Sequence, residues 1–67
     1  MITQIDAEKL LVAFCLQGRD ATRLIADTYG VSEDDIGDTG LRMIYGTCVA
    51  LYSERKEVDA LAVQGYL

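Results

Sequence analysis

Sixty-seven residues with eleven acidic and six basic side chains carry a net charge of −5 and include no histidine, proline or tryptophan. That balance argues against general affinity for nucleic acid or anionic membranes, and the missing imidazole removes the commonest general base and metal ligand at neutral pH. A chain this short forms one domain, residues 1–67, and buries only about 60% of its unfolded surface. Because 51% of it is hydrophobic, apolar surface is left over for a partner or a second copy.

The absence of proline and the plentiful Ala, Leu, Glu and Asp predict an all-α fold, a small bundle of three to four helices. The first spans residues 6–17. Thr3 or Asp6 caps it, Ala7, Leu10, Leu11, Phe14 and Cys15 recur at helical spacing, and Gly18 supplies the stop. Val12 and Leu16 extend the apolar surface to a second face, which predicts a central helix with neighbours on two sides. The apolar run from Leu10 to Leu16 is seven residues, far below the roughly 20 that span a bilayer. Asp6, Glu8 and Lys9 rather than a basic leader precede it, so neither a signal peptide nor a membrane anchor is expected.

The second helix spans 20–29, capped by Asp20 and ended by Gly30, with Ala21, Leu24, Ile25 and Thr28 as its apolar stripe. Arg23 and Asp27 are placed for an i,i+4 pair. Ser32 caps a short third helix over 33–37, whose first turn holds Glu33, Asp34 and Asp35, where carboxylates complement the helix dipole. Gly37 and Gly40 keep it to little more than one turn.

The last helix spans 39–64, capped by Asp38 or Thr39, with Leu41, Ile44, Tyr45, Cys48, Leu51 and Tyr52 along one stripe. Asp38 can pair with Arg42, and Gly46 and Ala50 let another helix approach closely. The polar stretch from Ser53 to Glu57 interrupts the pattern before Val58, Leu61 and Ala62 resume it, so a bend near 53–57 is one expectation. A continuous helix to Gln64 would be about 39 Å long, and its end would project, bend or meet another subunit.

No enzyme is expected. The chain lacks a nucleophile turn and a glycine-rich phosphate cradle, and so small a protein is expected to offer no cleft of the size that takes small molecules. No cofactor is implied. Cys15 and Cys48 lie far apart in apolar patterns and form no paired-cysteine metal or redox motif. They read as buried hydrophobes in a reducing cytoplasm, with a disulfide or a reactive thiol as the alternative. Asp34, Asp35 and Asp38 fail as a calcium loop, because the twelfth residue from Asp34 is Tyr45 rather than glutamate.

Ala26, Gly30, Val31, Ser32 and Ile36 fall where bacterial helix-turn-helix regulators carry Ala, Gly, an apolar residue, Ser or Thr, and an apolar anchor. The segment resembles that motif over about a dozen residues, which implies two helices meeting sharply through a glycine turn. The DNA-reading role does not carry over with it. Glu33, Asp34 and Asp35 stand where such helices use Arg, Lys, Asn, Gln, Ser or Thr, and no lysine or arginine occurs between Arg23 and Arg42.

The acidic group of Glu33, Asp34, Asp35 and Asp38 has two readings. It is a solvated helix start that keeps the protein soluble, or a patch for a basic partner that raises association rate more than affinity. Tyr45 and Tyr52, seven apart on one face, are core or interface packing, and the natural anchors if a partner docks there. The expected function is a cytoplasmic protein-interaction module that binds a larger protein, a basic nucleic-acid-handling one among the options, or itself. It would serve as an adaptor or inhibitor, and in size and charge it resembles accessory factors of phages and mobile elements. The alternative is a helix-turn-helix-like transcriptional regulator with a degenerate recognition helix.

Overall fold

The computed structural model describes residues 4–67, so a cap at Thr3 lies outside the described residues. Four α-helices follow one another: α1 Gln4–Cys15, α2 Arg19–Arg23, α3 Thr39–Ser53 and α4 Ala60–Tyr66. A π-helical turn, Leu24–Thr28, prolongs α2, and a 3-10 turn, Glu33–Asp35, precedes α3. The fold is thus the expected small all-α bundle, and none of its helices is long and apolar enough to cross a membrane. The other three helices pack around α3 or one another. Tyr45, Cys48 and Leu51 of α3 form the core with Val12, Cys15, Ile36, Val58 and Val63.

Helical spacing predicts one buried face for α1 and the structure buries another. Glu8, Val12 and Cys15 are buried, whereas Ala7, Leu10 and Phe14 face solvent, Leu10 being 63% exposed. α1 packs on α2 and α3 and leaves this outer face bare, so the central helix is α3 rather than α1. The reason is polar. The Glu8 carboxylate accepts from the backbone N–H groups of Gly37 (2.8 Å) and Asp38 (3.1 Å). The Cys15 carbonyl accepts from the buried Thr22 hydroxyl at 3.0 Å. Turning α1 to bury Leu10 and Phe14 would break both and leave these groups without their partners in the chain.

α2 begins one residue earlier than expected. Its N-cap is Gly18, at φ +150°, and Asp20 lies in the first turn instead of capping it. Thr22, not Thr28, is the buried threonine of this helix, and its hydroxyl is directed at the carbonyls of Cys15 and Gly18, the former at the end of α1, where it also accepts from Gly18 N–H at 3.4 Å. The turn then widens: Tyr29 N–H bonds Leu24 O (3.0 Å), and Val31 N–H reaches Ile25 O (3.1 Å). The extra residue in this closure swings Thr28 into solvent. Gly30, at φ +67°, takes the left-handed conformation that ends it.

The helix expected over 39–64 is two helices. α3 ends in a Schellman motif, with Arg55 N–H bonded to Tyr52 O (3.0 Å) and Lys56 N–H to Leu51 O (2.9 Å). Arg55 holds the left-handed position, at φ +61°. Val58 is then fully buried, and Asp59 caps α4 by accepting from Ala62 N–H at 2.7 Å. Val63 packs on the core while Leu61 stays 80% exposed, outside the stripe that spacing suggested. A straight rod of about 39 Å would exceed the longest extent of the molecule, 35 Å, and leave Val58 and Val63 in water.

Candidate protein-docking surface

The segment from Val31 to Asp38 is held from several sides. Ile36 is buried in the core, and its carbonyl accepts from Arg42 Nε at 2.9 Å. The Tyr45 hydroxyl donates to Val31 O at 2.6 Å. Glu8 crosses from α1 to bond Gly37 and Asp38 N–H. The Gly37 N–H, the Gln4 amide and the Asp38 N–H, in that order, hold the Glu8 carboxyl below its ordinary value of 4.5. Burial, aided by the nearby Cys15, pushes the Tyr45 phenol up to about 12.

Of the six residues expected to form a binding patch, four hold hydrogen bonds within the chain. Asp35 turns back to accept from Ser32 N–H (2.8 Å) and Ser32 Oγ (3.3 Å), so Ser32 supports the 3-10 turn through that carboxylate. Asp38 caps α3 by accepting from Leu41 N–H at 2.9 Å. Tyr45 is fully buried, with its hydroxyl bonded to Val31 O. Tyr52 donates to Asp27 at 2.9 Å, which raises its phenol, and lies 5.4 Å under the Arg19 guanidinium. Asp27 therefore meets Tyr52 in place of the expected Arg23, and Arg42 meets Ile36 O in place of Asp38.

Glu33 and Asp34 remain. Among the described residues neither carboxylate accepts a hydrogen bond or joins an ion pair. Glu33 is exposed and lies across Gly46, where an added Cβ would stand 2.5 Å from Glu33 Oε1. The small residue expected to admit another helix thus has the Glu33 side chain over it. Glu33, Arg42, Met43, Gly46, Ala50 and Tyr66 bound an open groove of about 420 Å³ on the outer side of α3. That volume is in the range of small-molecule sites, but the groove lies open to solvent rather than enclosed as such clefts are.

Three other features bear on chemistry. Cys15 and Cys48 are free and fully buried, and burial pushes both thiols up to about 11, away from thiolate reactivity. Among the described residues no three His, Cys, Asp or Glu side chains gather as metal ligands do. The corner that resembles a helix-turn-helix has its glycine turn, but a 3-10 turn of three residues, Glu33–Asp35, occupies the place of a reading helix. Glu8, Thr22 and Asp59 escaped the sequence reading. Only Asp59 left a local signal, as a capping residue ahead of Ala60-Leu61-Ala62. No protein-family model, curated protein or solved structure matches the chain.

Proposed function

We propose that this chain is a small acidic interaction module that acts without catalysis, by binding a larger protein as an adaptor or inhibitor. One observation carries the reading. Arg42 is the only charged residue of α3, although a quarter of the chain is charged, and from Met43 to Ala50 the outer side of that helix lines an open groove with no charged side chain of its own. Solvent-facing helix sides are normally polar, and exposed apolar relief on a small protein marks an interaction surface. The net charge of −5 selects basic partners over nucleic acid.

The test is affinity capture of the tagged chain from its own cell, with mass-spectrometric identification at low and high salt. The expected result is one enriched basic protein, released by salt. A chain that captures nothing yet retards duplex DNA at low salt would reverse the reading in favour of the transcriptional regulator.

A further inference from the structure

We infer that the groove on the outer side of α3 is the docking site, and that its occupant is a helix of a basic partner whose lysine or arginine seats on Glu33. This rests on the interaction-module reading above. The floor is Gly46 and Ala50, one turn apart, with Met43 beside them and Tyr66 on the far wall. Gly46 and Ala50 add no bulk of their own, so once the flexible Glu33 side chain turns up toward a cation a second helix can lie close, as tight interaxial packing requires. Glu33 sets the chemistry. Its carboxylate lies over that floor with no partner among the described residues, and only a flexible side chain holds it there. Met43 is 56% exposed and Tyr66 48%, so an apolar stem has side chains to pack on while its charged end reaches Glu33.

Charge decides between occupants. A second copy crossing on Gly46 would bring two Glu33 carboxylates together over one floor, between chains that each carry −5. A phosphate backbone meets the same repulsion. Arg42 keeps its charge but is held at the groove's edge by the Ile36 carbonyl and acts on Glu8, whereas the Glu33 carboxylate lies over Gly46 itself. A helix with a cation amid small and apolar residues satisfies both the floor and the carboxylate.

The test places a benzophenone amino acid at Met43, and separately at Leu10 and Leu61, in the full chain within its own cell. Cross-linked peptides are then sequenced. The expected cross-link forms from Met43 to a helical segment carrying lysine or arginine. Glu33→Lys should lower its yield about tenfold, as reversal of a docking charge does, and Glu33→Gln less, with circular dichroism unchanged for both. A cross-link from Leu10 or Leu61 alone, one to a second copy, or a yield indifferent to Glu33→Lys overturns the groove while leaving an interaction module standing. No cross-link at any of the three positions overturns both.

Discussion

The connection from Val31 to Asp38 and the one from Glu54 to Asp59 have the same task. Each closes off one helix, buries one branched side chain (Ile36 or Val58) and delivers an aspartate cap to the next helix. They are secured differently. The first is tied to distant side chains, through Glu8 from α1 and through Tyr45 and Arg42 from α3. The second is closed mainly by backbone bonds within its own turn; from outside it Arg19 Nη2 donates to Tyr52 O at 3.2 Å and the exposed Tyr66 hydroxyl to Glu54 at 3.3 Å, and an exposed Lys56–Glu54 pair at 3.1 Å contributes little in water. A docking charge must be held in register by supported neighbours. Glu33 and Asp34 ride on the segment that has such support; Arg55, Lys56 and Glu57 do not.

The widest separation should come from the two anchors. Ile36→Ala should cost about 2–5 kcal/mol and unfold much of so small a protein. Val58→Ala, which removes fewer buried atoms from a locally closed turn, should cost about 1.5–3 kcal/mol. Urea denaturation measures both, and equal losses would erase the contrast. Next comes Glu8→Gln, whose amide points a donor at an N–H group. The folded Glu8 titrates below 4.5, so its contribution is complete above that pH and disappears as pH falls through the folded value. The variant should start less stable and show a shallower acid limb than the parent. Parallel acid limbs would mean that Glu8 does not hold the first connection.

What the sequence disclosed follows the same division. Features that act within a few residues were legible: Gly30 as a stop, Asp38 as a cap, Ile36 as the anchor after the acidic run, and the polar break after Ser53. The face of α1 was not, because Leu10, Leu11, Val12, Phe14 and Cys15 make nearly the whole helix apolar. The choice fell to a Glu8 bond spanning 29 residues, which no periodicity encodes. Part of the candidate patch is hydrogen-bonded within the chain for a related reason. Carboxylates read as surface charge were claimed by backbone N–H groups at Asp35 and Asp38, and Tyr45 was claimed by the Val31 carbonyl.

Tyr45→Phe isolates the α3 side of that first connection. It leaves Val31 O without its donor while keeping the ring, and should cost about 1–2 kcal/mol. Its pH signature lies on the alkaline side. An unfolded tyrosine ionises near 10 and the folded one near 12, so its contribution is complete below 10 and is lost as pH rises toward 12. The phenylalanine variant should lack that part of the decline and keep the lower part due to Cys15 and Cys48, whose thiols titrate near 11 against an ordinary 9.0. Unchanged alkaline curves would detach Tyr45 from the corner it supports.

The smallest effect belongs to the second connection and runs the other way. Arg55 occupies the left-handed site of a Schellman turn, at φ +61°, where an L-residue carries a penalty of about 1–2 kcal/mol and glycine carries none. Glycine also loses more freedom on folding, which takes back roughly 0.5–1 kcal/mol. Arg55→Gly should therefore stabilise the protein by about 0.5–1 kcal/mol. Arg55→Ala, which keeps the Cβ, should gain nothing. Both are read from thermal midpoints at matched salt, since the substitutions also remove a positive charge from an acidic chain. A gain in the alanine variant equal to that in glycine would trace the effect to charge, and the turn at 54–56 would then be held by something other than its backbone geometry.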